Sequence, residues 1–229
     1  MSEGIRPFSH REPLPPVDAR WEKRRHVSDS IKALTERLIT TDCAPEKLDR
    51  ALALIEEASA LLGDGPTIQS KVAWFSQPTD ANGSYHQVSR ELAPIGGISN
   101  PLSPFYRMWV DFDQREAHGL VNFGWAFEGP PTFVHGGWVA ATFDEFMGCA
   151  QVFCDDPGVT GTLSIRYKQP TPINTDVVLH ARLKEQNGRK IIVEGTMSAN
   201  GVVTATCEAL FISVTGGFGN LISKAEHTV

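Results

Sequence analysis

The sequence predicts an α+β fold in which a curved antiparallel sheet wraps around one long buried helix, with a helical extension in front. Three observations carry this prediction. After a glycine turn, Trp138, Val139, Ala140, Ala141, Phe143, Phe146, Met147, Cys149 and Ala150 lie on all sides of a helical wheel, which marks a helix with little solvated face. From Thr160 onward the chain alternates apolar and polar residues, as half-buried strands do. Two Asn-Gly pairs, Asn187-Gly188 and Asn200-Gly201, punctuate that region as tight hairpin turns. A helix that is hydrophobic all round must be covered, and a strongly curved sheet of about five or six strands can do so.

The elements follow in order. Residues 1 to 20, with Pro7, Pro13, Pro15 and Pro16, form an extended arm. A first helix starts at Ser28 as N-cap and lines up Ile31, Leu34 and Leu38. A second begins at Pro45, suited to a first helical turn, and stops at Gly63. Each has one apolar stripe, so the hairpin needs a surface to pack on. Residues 64 to 103 read as irregular covering structure. A strand at Tyr106 to Phe112 precedes another carrying Leu120, Val121, Phe123, Trp125 and Phe127. After the central helix come strands at Thr160 to Lys168, Val177 to Lys184, Ile191 to Ser198 and Val202 to Val214, the last three a meander. The chain thus divides into an N-terminal arm, helical hairpin and covering segment (1–103), a main domain (104–215) and a flexible tail (216–229). Open sheet edges predict a homodimer or homotetramer.

Composition excludes several classes. A net charge of -6 and a pI near 5.6 leave no footprint for nucleic acid or an anionic membrane. No apolar run reaches the roughly 18 residues that span a bilayer. The N-terminus lacks the apolar core of a secretory signal. Cys43, Cys149, Cys154 and Cys207 are scattered, and His10, His26, His86, His118, His180 and His227 show no ligand spacing, so no metal is expected. Reduced structural thiols place the chain in the cytoplasm.

The chemistry concentrates around the central helix. Asp144 and Glu145 sit within its apolar run, where an ionised carboxylate is costly unless paired, bonded or protonated. Gly136-Gly137 at the helix entrance would let a ligand reach bare N–H groups at the positive end of the helix dipole, which suits a developing oxyanion. These features fit a hydrolase acting on a carbonyl. They fit equally a packing turn with Asp144 bonded to backbone.

Longer motifs separate the two. Phe127-Glu128-Gly129-Pro130-Pro131, His135-Gly136-Gly137, an acid nine positions after the histidine (Asp144), and Arg166-Tyr167-Lys168-Gln169-Pro170-Thr171-Pro172 together resemble the hotdog fold, and more narrowly the phenylacetate-pathway (PaaI-like) acyl-CoA thioesterases of the 4-hydroxybenzoyl-CoA thioesterase superfamily. The resemblance covers about residues 104–215. It implies Asp144 as general base or nucleophile, the Gly136 N–H as the oxyanion donor, and His135 as the residue positioning that loop. It also implies a hydroxyl reaching across a dimer interface to orient water, with Thr160 at the matching position and Thr162 its neighbour. Trp138, directly after Gly137, either lines an acyl pocket or fills core. Arg166 and Lys168, with Arg189 or Lys190, would contact the coenzyme A phosphates. Several relatives carry an asparagine upstream of the His-Gly-Gly; Glu128 stands here, either as a participant in water activation or as a surface residue of the turn.

The function implied is hydrolysis of acyl-CoA or related thioesters at a subunit interface, with no cofactor beyond the coenzyme A of the substrate. After Asp144 the chain reads Glu145-Phe146-Met147-Gly148-Cys149, without the histidine that hotdog hydratases place shortly after their aspartate. The other reading is a non-catalytic acyl-CoA-binding or scaffold protein of the same fold.

Overall fold

A computed structural model describes residues 17–65, 90–104, 106–154 and 156–214. Its centre is a six-stranded, wholly antiparallel sheet of β1 (Tyr106–Asp111), β2 (Glu116–Asn122), β3 (Gly158–Tyr167), β4 (Asp176–Asn187), β5 (Lys190–Ala199) and β6 (Val202–Ser213). The spatial order is β1-β2-β4-β5-β6-β3, so the strands before the central helix lie at one edge and the strand after it at the other.

The central helix, α3 (Gly136–Gly148), continues as a short 3₁₀ turn over Cys149–Phe153. Val139, Thr142, Phe143, Phe146 and Met147 are its buried residues, packed with Val121, Leu179, Val193, Ala209 and Phe211 of the strands. Strand alternation supplies the other wall of this core, as the regular buried–half-buried pattern of β5 shows. Close approach is needed at Gly119, where a Cβ would fall 2.9 Å from Phe146 Cε2.

The sequence reading gives α3 little solvated face; its apolar side is buried, and one flank stays open within the single chain. Asp144 is exposed and Ala140 and Ala141 are half-buried, because the sheet covers only one side of the helix. The strand predicted through Phe127 ends at Asn122, and Trp125–Phe127 is a 3₁₀ turn. The backbone N–H groups of Trp125 and Ala126 donate to Glu36 of the first helix (3.0 Å each) instead of to a strand. The first hairpin turn slips by one residue. Asn187 still pairs with Lys190, leaving Gly188 (φ 54°) and Arg189 as the loop.

Helix α1 (Ala19–Thr40) starts ten residues earlier than a Ser28 cap requires, since Ser28 lies buried inside it. Asp18 is the cap, accepting from the N–H groups of Arg20 and Trp21 at 2.9 Å. Residues 19 and 20 of the expected arm are therefore helical, while residues 1–16 lie outside the described residues. Trp21, 1% exposed, and Ser28 are the two buried residues of α1. Helix α2 (Pro45–Gly63) has the predicted bounds, with Pro45 in its first turn and no buried residue. Most of the expected covering segment, residues 66–89, and the expected tail, residues 215–229, lie outside the described residues. The described part of the former, 90–104, buries Ile95 and Ile98.

Candidate active site

The loop before α3 is built from backbone. Gly129 N–H donates to Phe133 O (2.9 Å), His135 N–H to Phe127 O (2.8 Å) and Val134 N–H to Thr171 O (2.8 Å). Gly129 has no room for a side chain, because a Cβ would lie 2.7 Å from His135 Cα. Glu128 is exposed and uses Oε1 to accept the N–H of Thr132 at 2.6 Å. Thr132 holds a left-handed φ of 68°, so Glu128 braces the turn.

His135 is the N-cap of α3. Its Nδ1 accepts from Gly137 N–H at 3.0 Å, which puts the proton of the neutral ring on Nε2. The preceding amide, Gly136 N–H, has no hydrogen-bond partner among the described residues. It is one of the free donors at the positive end of the helix. The Gly136 carbonyl is fixed from the other side by the Tyr167 hydroxyl of β3 (2.8 Å). Trp138, half-buried, meets Phe127 edge-on at 4.9 Å.

Two turns further along, the Thr160 hydroxyl donates to Asp144 Oδ1 at 2.7 Å. The resemblance implies Thr160 as a hydroxyl that reaches across a dimer interface to orient water; here that hydroxyl bonds the Asp144 of its own chain. Thr160 faces α3 because it pairs with Phe211, whereas the register shift after it pairs Thr162 with Leu210 on the opposite face. Arg166 pairs with Thr206 on that same outer face. Thr162, Arg166 and Lys168 are exposed, and none joins Asp144 within the chain, because strand alternation turns residues two apart to one side. Arg189 is engaged as well, donating from Nε to Ser213 O at 3.1 Å. Glu145 accepts from the backbone N–H groups of Gly96 (2.7 Å) and Ile95 (3.4 Å) and secures the 90–104 segment over the helix.

Gly136 and Asp144 stand eight residues apart on one helix, about 12 Å along its axis at 1.5 Å per residue. One reacting carbonyl cannot touch both within a single chain. Two positioning residues went unnoticed in the sequence. Tyr167 lies inside a quoted motif without an assigned task, and Glu36 has no sequence signal because it acts far from its own position.

Residues 132–206 match the profile of the Thioesterase superfamily. A crystal structure of a thioesterase superfamily protein superposes with a TM-score of 0.69 at 27% identity, over 86% of this chain and 97% of that one. The architecture is the hotdog fold, and residues 132–206 are similar to that superfamily. The acyl-coenzyme A thioesterase THEM4 of Rattus norvegicus is 33% identical over 131 residues, 56% of each chain. The chain spans about half the length of the curated relatives it matches. The structural likeness reaches beyond the thioesterase domain into the N-terminal helices, which the sequence resemblance did not cover.

The cytoplasmic expectation is overturned by a Saccharomyces cerevisiae relative, the uncharacterized mitochondrial membrane protein FMP10, 28% identical over 156 residues (65% of this chain, 62% of that one). Scattered cysteines, on which that expectation rests, do not distinguish cytoplasm from mitochondrion. No helix among the described residues is long and apolar enough to cross a membrane.

Proposed function

We propose that the chain hydrolyses acyl-CoA or a closely related thioester at a site completed by a second copy of itself, in mitochondria like its yeast relative. The observation that carries this reading is the exposed Asp144, with Oδ1 held by Thr160 and Oδ2 left for water, on the same helix that presents the unpartnered Gly136 N–H. Because these groups are too far apart to share a carbonyl within one chain, α3 of a second copy brings its Gly136 to the first copy's Asp144. That arrangement also covers the apolar positions α3 leaves open.

As general base, the Asp144 carboxylate takes a proton from water while the water oxygen adds to the thioester carbon. The Gly136 N–H stabilises the resulting oxyanion. Collapse breaks the C–S bond, and the thiolate leaves and is protonated, giving free acid and coenzyme A. As nucleophile, Asp144 would instead form an anhydride that water then opens. Thr160 orients the carboxylate in either course. His135, Tyr167 and Glu128 hold the amide in place.

The test is release of free thiol from a panel of short-chain, long-chain and aryl acyl-CoAs. Turnover of any member supports the reading and defines the acyl class. Bound acyl-CoA without turnover across the panel would favour the non-catalytic binding protein.

A further inference from the structure

The outer face of the sheet, opposite α3, gathers a second set of reactive side chains. His118 of β2 and His180 of β4 are direct cross-strand partners. Glu116 lies two residues before His118 and so on the same face. Its Oε2 is 3.0 Å from His180 Nε2 and 3.5 Å from His118 Nε2, and the three donor atoms all lie within 4.8 Å of one another. All three side chains are half-buried, at 26–31% exposure. We infer that Glu116, His118 and His180 form a binding site for a divalent transition-metal ion of the zinc class.

The donor chemistry selects the ion. Two imidazole nitrogens and one carboxylate oxygen suit zinc and its first-row neighbours, whereas calcium and magnesium take oxygen donors. A tetrahedral ion about 2.0–2.2 Å from each ligand requires donor–donor separations of roughly 3.3–3.5 Å. Both glutamate–histidine distances already stand near that value, so a small inward turn of the imidazoles closes the set. Trp109 stacks on His118 with centroids 5.5 Å apart and planes 16° apart, which restrains that ring. Arg182 is in register with Glu116, but its guanidinium is bonded to Glu194 Oε2 at 2.9 Å. Asp111, paired with Glu116 across β1, adds negative charge on the other side. A concavity of about 260 Å³ beside Glu116 and His180 gives access.

Three protein ligands leave one tetrahedral position for water or an incoming donor. The site ties β2 to β4 on the face away from Asp144. It therefore stands apart from the proposed hydrolytic site and binds its ion whether or not hydrolysis is observed.

The experiment is calorimetric titration of the full chain, stripped with chelator, with zinc chloride, followed by cobalt substitution read by visible absorption. One equivalent is expected, with cobalt bands of a nitrogen and oxygen site and no sulfur-to-metal charge transfer. His180→Ala and Glu116→Gln should each weaken binding by about 10- to 100-fold or more, the range that even residues behind the ligands cost when replaced. His26→Ala, on α1, is the control and should leave binding unchanged. Circular dichroism confirms that each variant is folded, and the near-isosteric Glu116→Gln keeps the test decisive should His180→Ala fail to fold. No zinc binding, binding that survives Glu116→Gln, or a sulfur charge-transfer band would each overturn the inference.

Discussion

Replacing Arg25 tests whether the N-terminal helices are integral to the fold. Glu91 is fully buried, at 0% side-chain exposure, and Arg25 grips it with Nη2 at 2.5 Å from Oε1 and Nε at 3.2 Å from Oε2. Ser99 Oγ donates to Oε2 at 2.5 Å. In Arg25→Met the aliphatic stem remains and the buried carboxylate loses its charged partner, an uncompensated charge that costs about 3–5 kcal/mol. At about 2–4 °C per kcal/mol for a chain of this size, the melting temperature should fall by roughly 6–20 °C in scanning calorimetry. Arg25→Met combined with Glu91→Gln removes both charges, so most of that loss should return. Amide exchange of Trp125 and Ala126 should quicken in the single variant, since α1 carries the Glu36 that holds them. A fall of less than about 2 °C would refute the claim that this pair docks α1, again at 2–4 °C per kcal/mol. So would a double variant no more stable than the single one.

Thr160→Val keeps the shape of the side chain and removes its bond to Asp144, so kcat on the best acyl-CoA should fall roughly 10-fold, about 1.4 kcal/mol, with the melting temperature little changed. Gly129→Ala drives a methyl into His135 Cα and should destabilise by about 1–3 kcal/mol, seen in urea unfolding, while lowering kcat through the displaced loop. Burial, with smaller help from the charges of Asp144 and Glu208, pushes the Cys207 thiol up to about 12. At pH 8 only about 1 in 10⁴ molecules then carries its thiolate. Mass spectrometry after native maleimide treatment should therefore find Cys43, Cys149 and Cys154 labelled well before Cys207.

Much of the domain was legible because its signals are local. The Asn-Gly turns, the strand alternation and the apolar run of α3 each occupy one short window, and the sheet and its central helix emerged from them. The resemblance likewise points to Asp144 and Thr160, which the structure joins by a hydrogen bond. What failed depends on distant contacts. Trp125 and Phe127 continue an apolar alternation, yet Glu36 captures the amides a strand would need. Ser28 is a good cap by type, but Asp18 precedes it and Trp21 has a place in the core, so the helix begins earlier. His118 and His180 have no mutual spacing in the sequence, and only the β2–β4 register sets them side by side. The pair of Arg25 and Glu91, 66 positions apart, leaves no trace in any local window.

The decisive measurement is kcat for the best acyl-CoA with wild-type protein and Asp144→Asn side by side, together with the affinity of each for a non-hydrolysable acyl-CoA analogue. With Asp144 as base or nucleophile, kcat should fall by about 10²- to 10⁴-fold while analogue affinity stays within a few-fold. Turnover that survives the substitution, or that disappears only together with binding, would contradict the assignment of the reaction to this carboxylate.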